Sequence, residues 1–331
     1  MKVKDIGEQG LLRILQKFCP AEIVGDDCAV MATNPNQSLA ITTDMLVDGV
    51  HFSDRTTGPY YAGWRAAAAN LSDLAAMGAT PLAVTVALAV AADTAVEWVE
   101  EFYRGMTACL QEYDTPIVGG DVVRSPVVTV AITAFGEVEC DRTIRRSNAR
   151  SGWAIVATGV HGASRAGLEL LLNPEFGQNL EKVDRASLIL AHQRPKPRLD
   201  VLPVVWEILD SAGEFSIAGM DSSDGLADAI IQICRASGVG AKVDRTKLPI
   251  PDIFSEIVST EKSLDWALYG GEDFELVLFL PMANAELLVE KIGNGAAIVG
   301  IATDSSDIWL TDSSGIYPDA ILKLDRGFQH F

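Results

Sequence analysis

Three observations predict an α/β fold in two domains. Stretches rich in β-branched residues alternate along the chain with stretches of helical apolar spacing. A polar, basic interruption, "CDRTIRRSNARSG" from Cys140 to Gly152, breaks that alternation near the middle. The 331 residues, 48% of them hydrophobic, suit two cores better than one. The expected division is residues 1–140 and 141–331.

In chain order, "EQGLLRILQKF" has its apolar residues at helical spacing, and "LAITTDMLV" reads as a strand. A helical run from Tyr60 to Gly78 leads through Pro81 into the strand "LAVTVALAV". The stretch "TAVEWVEEFYRGMTACLQEYD" is helical again, and "PIVGGDVV" and "VVTVAITAFGEV" complete a first α/β unit. Beyond the junction, "WAIVATG" opens a second unit and is followed by a helix and the proline-punctuated "HQRPKPRLDVLP". The segments "FSIAGMD", "GLADAIIQICRASG", "FELVLFL" and "AAIVGIA" continue it.

With 45 acidic against 26 basic residues, the formal net charge is −19. That leaves no broad basic footprint for nucleic acid or an anionic membrane, and it favours cations as partners. Most of the acid is accounted for as a solvated surface. The five cysteines are scattered and lack any CxxC spacing, so they read as reduced thiols rather than disulfides or zinc ligands. The start, "MKVKDIGEQG", has no apolar signal-like core, and "LAVTVALAVAA" is too short to span a bilayer. The expectation is a cytoplasmic protein.

The common nucleotide signatures are missing: no GxxxxGK followed by Ser or Thr, no strand-to-helix GxGxxG, no HRD or DFG tripeptide. What recurs is Asp beside Gly, Ser or Thr at apparent strand ends. The set is "GDDCAV" (Asp26, Asp27), "ITTDMLVDGVHF" (Asp44, Asp48), "NLSDLAAMG" (Asp73), "GGDVV" (Asp121), "MDSSDGL" (Asp221, Asp224) and "YGGEDFEL" (Glu272, Asp273). Taken singly, each fits ordinary turn or helix-capping chemistry: Asp224 or Ser223 as an N-cap, Thr42 and Thr43 as plain strand residues, His51 as a hydrogen-bonded core-edge histidine. Taken together, they lie where α/β sheets bind ligands, outside the carboxyl ends of strands. Two like charges about 4 Å apart repel by about 4 kcal/mol at an effective dielectric near 20. Converging carboxylates therefore require protons or divalent cations, and hard oxygen donors suit Mg²⁺, which bridges to phosphates. With no lysine loop to cradle a triphosphate, metal ions would neutralise it, as in phosphoryl transfer.

The ordered series "GDDCAV", "ITTDMLVDGVHF", "NLSDLAAMGA", "IVGGDVVR", "SSDGL" and "ALYGGEDFEL" closely resembles the thiamine-monophosphate kinase family. That family lies in the superfamily of aminoimidazole ribonucleotide synthetase and selenophosphate synthetase. The resemblance implies a two-domain α/β (α+β type) fold: an N-terminal mixed sheet with helices that pairs in a homodimer, and a C-terminal α/β domain completing an ATP cleft. It implies transfer of the γ-phosphoryl of ATP to thiamine monophosphate with several Mg²⁺ ions. Metal ligands fall on Asp27, Thr42, Thr43, Asp44, Asp73, Asp121, Asp221 and Asp224. Nucleotide contacts fall on Tyr103, Gly120, Asp121, Arg146 and Ser223, where a guanidinium suits phosphate oxygens. Substrate contacts fall on His51, Glu272 and Phe328, an acid and a ring suiting a cationic thiazolium. No residue stands out as a general base, since the acceptor is an anionic phosphate oxygen. Ser222 inside "DSSDGL" and Asp48 depart from the family's usual residues, and the tail "RGFQHF" matches loosely.

Two other readings stand beside this one: a sibling ATP-dependent synthetase, and an acidic divalent-ion binder without turnover. Cys19 and Cys28 fit poorly the reactive-cysteine loop that selenophosphate synthetases resemble one another in having.

Overall fold

The structure is a computed structural model that describes residues 1–20, 31–213, 216–293 and 295–323. It resolves into two compact units, one of Met1–Leu74 with Ala79–Cys140, the other of Ala75–Gly78 with the chain from Asp141 onward. No helix among the described residues is long and apolar enough to cross a membrane.

The first unit runs α1 (Val3–Leu15), β1 (Gln37–Val47), α2 (Pro59–Ala76), β2 (Thr80–Val90), α3 (Val96–Gln111), β3 (Ile117–Arg124) and β4 (Thr129–Glu139). Helix α1 is kinked at Gly7, whose φ of 64° takes it out of the helical region. The four strands form one mixed sheet in the order β1-β4-β2-β3, parallel only between β2 and β3. Helices α2 and α3 meet at near backbone contact. A Cβ on Gly63 would stand 1.9 Å from the Phe102 carbonyl oxygen, and one on Gly105 would stand 1.7 Å from that of Tyr60. This closeness explains the small residues of "AGWRAAAAN", since Ala62, Ala66, Ala67 and Ala68 are all fully buried.

Strand β1 alternates by burial. Thr42, Asp44 and Leu46 turn inward, whereas Leu39, Ile41, Thr43 and Met45 turn to the exposed side. On that side Leu39, Ile41, Met45 and Val123 are 50–60% exposed, an apolar sheet face open to solvent in the single chain.

The second unit continues with β5 (Ala154–Ala157), α4 (Ala163–Leu172), α5 (Lys182–Gln193), α6 (Leu202–Ala212), β6 (Ala218–Asp221), α7 (Leu226–Ser237) and β7 (Gly240–Asp244). It ends with α8 (Phe254–Ile257), α9 (Thr260–Tyr269), β8 (Leu276–Leu280), α10 (Met282–Ile292), β9 (Ala297–Thr303), β10 (Ile308–Thr311) and β11 (Ala320–Ile321). Seven strands form the sheet β11-β10-β7-β9-β5-β8-β6, antiparallel except for β10 with β7. The unbroken apolar runs of β5 and β8 reflect burial on both faces. Ile155, Ala157, Val277 and Phe279 pack with Leu226, Ile230 and Cys234 of α7. On the other face, Val156, Leu276, Leu278 and Leu280 pack with Val205 and Leu209 of α6 and Leu288 of α10.

Candidate active site

In the first unit, the inward face of β1 meets α2 along a polar seam. The Thr42 hydroxyl donates to an Asp73 carboxylate oxygen. One helical turn earlier on α2, Asn70 is fully buried; its Oδ1 accepts the Asp44 backbone N–H at 3.2 Å, and its Nδ2 donates to the Ala66 carbonyl at 3.0 Å. Thr42, Asp44 and Asp73 therefore share one seam of hard oxygen donors.

Strand alternation sends Thr43 the other way, where its hydroxyl lies 2.9 Å from that of Thr133. Asp121 belongs to the register row Met45–Ala131–Ala87, so its side chain leaves on the Thr43 face of the edge strand β3. It accepts from the adjacent Val122 N–H at 2.9 Å. The structure thus does not bring Thr43 or Asp121 to the Asp73 seam, because the period of a strand is two. Gly120 has a structural reason of its own, since a Cβ there would stand 2.1 Å from the Val86 carbonyl oxygen.

His51 lies in the turn after β1, with Gly49 at φ 80° supplying the left-handed step. Its Nδ1 accepts the Val47 N–H at 3.0 Å, so the ring proton sits on Nε2 of the neutral imidazole. Its carbonyl accepts from Arg65, a residue that is 2% exposed, at 2.9 Å. Sequence reasoning missed Arg65 as the strut of this turn.

Tyr103, expected among the nucleotide contacts, is packed against the segment at α1's end and its own helix. It is 3% exposed, and its ring centroid lies 5.5 Å from that of Phe18 and 6.1 Å from that of Phe102. Burial pushes its phenol well above the usual range. Phe18 also lines a pocket of about 690 Å³, together with Cys19, Arg104, Thr107, Gln111 and Ile117. Asp27 and Phe328 lie outside the described residues.

In the second unit, the pairing of β6 with β8 sets Asp221 opposite Leu276 and lays the two preceding and following loops side by side. Ser223 Oγ donates to Asp221 at 3.1 Å, and the Glu272 N–H donates to the Ser223 carbonyl at 2.7 Å. Gly271 is required at this crossing, where a Cβ would stand 2.6 Å from the same carbonyl oxygen. Ser222 is buried; its hydroxyl donates to His161 Nε2 at 3.0 Å while His161 Nδ1 donates to the Gly159 carbonyl at 3.0 Å. Burial lowers the His161 pKa to about 4, which keeps the ring neutral and fits that tautomer.

Asp224 is exposed at the start of α7, and its charge helps raise the Asp228 pKa; burial is the larger cause, and Arg146 acts in the opposite direction. Asp221, Ser223 and Asp224 thus lie in the turn from β6 into α7, and Asp228 in its first turn feels the charges of Asp224 and Arg146. Asp273 is a cap supplied from a distance. Its carboxylate accepts the Gly162 and Ser164 N–H groups of α4 at 2.6 and 2.8 Å. Burial raises its pKa to about 7 against the pull of those two donors. Glu275, pushed upward by burial, pairs with Arg198 and takes the Thr158 hydroxyl at 2.6 Å.

Among the described residues, no three His, Cys, Asp or Glu side chains are grouped as a metal cage. The donors are instead a carboxylate-hydroxyl seam in one unit and, in the other, Asp221 with the Ser223 hydroxyl and Asp224 at the start of α7.

A profile described as AIR synthase related protein, N-terminal domain, matches residues 25–138. The thiamine-monophosphate kinase of Synechococcus elongatus (strain ATCC 33912 / PCC 7942 / FACHB-805) is 49% identical over 329 residues, 99% of this chain and 98% of that one. Among solved structures, thiamine-monophosphate kinase from Stenotrophomonas maltophilia K279a is 32% identical with a TM-score of 0.76, over 86% of this chain and 88% of that one. AaThiL complexed with AMPPCP and TMP is 30% identical with a TM-score of 0.75, over 100% of this chain and 99% of that one. By these likenesses along its whole length, the chain belongs to the thiamine-monophosphate kinase family.

Proposed function

We propose that the chain catalyses transfer of the γ-phosphoryl group of ATP to thiamine monophosphate, giving thiamine diphosphate and ADP, with Mg²⁺ as the metal. The observation that carries this reading is the full-length likeness to a structure holding AMPPCP and TMP together. Thr42, Asp44 and Asp73, with Asp27 from "GDDCAV", are the proposed metal donors of the first unit, and Asp221 and Asp224 those of the second. The seam fits such an ion because it offers only carboxylate and hydroxyl oxygens. For Thr43 and Asp121, the support is the family resemblance. Bound Mg²⁺ supplies neutralisation of polyphosphate charge.

The chain's own groups then position the reactants. In the second unit Arg146 holds phosphate oxygens in its guanidinium fork and Ser223 contributes a hydroxyl; for the Gly120 backbone of the first unit the support is the family resemblance. Tyr103 acts from behind Phe18, a wall of the pocket that is offered for the base. For the cationic thiamine end, the family resemblance supports Glu272, His51 and Phe328. The acceptor oxygen is already anionic, so transfer proceeds in line, by positioning and charge neutralisation, without a phosphoenzyme.

Two copies pair through the open face carrying Leu39, Ile41, Met45 and Val123, whose exposed apolar side chains would leave water on pairing. We place the protein in the cytoplasm, where ATP is available and where the thiols of Cys109 and Cys234 stay reduced. The test is ADP release from Mg·ATP. Release that depends on added thiamine monophosphate supports the kinase. Dependence on an amide or selenide acceptor identifies a sibling synthetase, and no turnover identifies a binder.

A further inference from the structure

We propose that His192 is a positioning residue for the acceptor, acting by tethering the carboxylate of Glu272; this rests on the reading of Glu272 as the acid facing thiamine. The backbone of Glu272 is held in an unusual state, with φ of 68° at Glu272 and 52° at Phe274, neither of them glycine. Left-handed conformations at such residues are strained and persist where surrounding structure fixes them. Here the fixing contacts are the Glu272 N–H on Ser223, the Asp273 carboxylate on α4, and the buried ring of Phe274. These contacts set the Glu272 backbone. Its side chain, one-third exposed, needs a further restraint to present its charge in one place.

His192 supplies it from α5. The imidazole is 2% exposed, and its Nδ1 lies 3.6 Å from Glu272 Oε2 and 3.2 Å from Ser164 Oγ. The Ser164 N–H donates to Asp273, the residue next to Glu272, which closes a ring of four residues from α4, α5 and the loop before β8. Nδ1 is within hydrogen-bond reach of Ser164 Oγ, and that contact holds the ring where its edge stands against the Glu272 carboxylate, an electrostatic contact longer than a hydrogen bond. The approach of α5 is fixed by Gly167, where a Cβ would stand 2.1 Å from the Leu188 carbonyl oxygen and 3.0 Å from His192 Cβ.

Steady-state kinetics on the full chain, with thiamine monophosphate and Mg·ATP each varied, tests this. His192→Leu is expected to raise KM for thiamine monophosphate by about tenfold, with KM for ATP changed less than about twofold. His192→Asn, which returns an N–H near the place of Nδ1, is expected to restore most of the loss. In a Glu272→Gln background, His192→Leu is expected to add less than about twofold. Equal effects on both substrates, no rescue by Asn in a protein that melts normally, or full additivity in the double variant would each overturn the tether. If Glu272→Gln by itself leaves KM for thiamine monophosphate unchanged, the assignment of Glu272 falls and the tether with it. An effect of Glu272→Gln that His192→Leu merely adds to removes the tether alone.

Discussion

Thr42 and Asp73, thirty-one residues apart, share a hydrogen bond from a hydroxyl on the inward face of β1 to a carboxylate of α2. That contact turns an aspartate in an alanine-rich helix toward the sheet edge instead of bulk water. It also gives the carboxylate a neutral partner, which leaves its charge available to a cation.

Asp73→Asn keeps an oxygen to accept from Thr42 while removing the charge. The expected result is a melting temperature within a few degrees of the parent and a fall in turnover of at least about 100-fold at low millimolar Mg²⁺, the scale of losing one preorganised electrostatic group. Calorimetry and ADP release on the same sample check it, and near-normal turnover would remove Asp73 from the metal donors.

Gly105→Ala places a methyl 1.7 Å from the Tyr60 carbonyl oxygen, a backbone atom that cannot step aside. The helix pair must separate, at a cost of about 1–3 kcal/mol or more. Urea unfolding is expected to show a lower midpoint; an unchanged midpoint would mean that α2 and α3 are less closely packed than described.

Two buried groups oppose each other in their effect on stability with pH. Asp273, raised from 3.8 to about 7, stabilises the fold below pH 3.8 and loses that contribution as pH rises toward 7. His161, lowered from 6.5 to about 4, stabilises it above pH 6.5 and loses that contribution as pH falls toward 4. Asp273→Asn keeps an acceptor for one of the two N–H groups, at a cost that does not change with pH, and leaves only the His161 limb. The variant is expected to gain stability from pH 4.5 to 6.5 relative to the parent profile, by on the order of 3 kcal/mol. Other shifted acids are common to both proteins and cancel in the comparison. Parallel profiles would contradict the protonation assigned to Asp273.

Ile41 and Met45 are 60% and 56% exposed on the open sheet face. Replacing both by Lys puts charge where the proposed pairing needs apolar contact. Sedimentation is expected to show a dimer for the parent and a monomer for Ile41→Lys/Met45→Lys, and two monomers or two dimers would contradict that face as the interface.

Much of the fold was legible because its strands announce themselves. "LAITTDMLV" lies within β1, "LAVTVALAV" within β2, and "FELVLFL" contains β8, whose unbroken apolar run signals burial on both faces. Tyr103 was legible too, in a signal left unused: Val96, Val99, Phe102, Tyr103, Met106 and Leu110 are all buried on one face of α3 at helical spacing. The split of Thr42 from Thr43 follows from strand alternation alone. Other features had no local signal. Asp273 caps a helix that begins 111 residues earlier in the chain, and His192 reads in "HQRPKPR" only as a loop approach until α4 and α5 close on Gly167. Asp228 looks like any first-turn acid until the fold brings the charges of Asp224 and Arg146 to bear on it.

The most direct measurement follows labelled γ-phosphate. With Mg·ATP carrying the label and thiamine monophosphate as acceptor, every transferred label is expected in thiamine diphosphate, with none retained on the protein, and the transfer is expected to stop when a chelator removes Mg²⁺. Label recovered as inorganic phosphate, bound covalently to the chain, or transferred equally well in the chelator would contradict metal-assisted direct transfer.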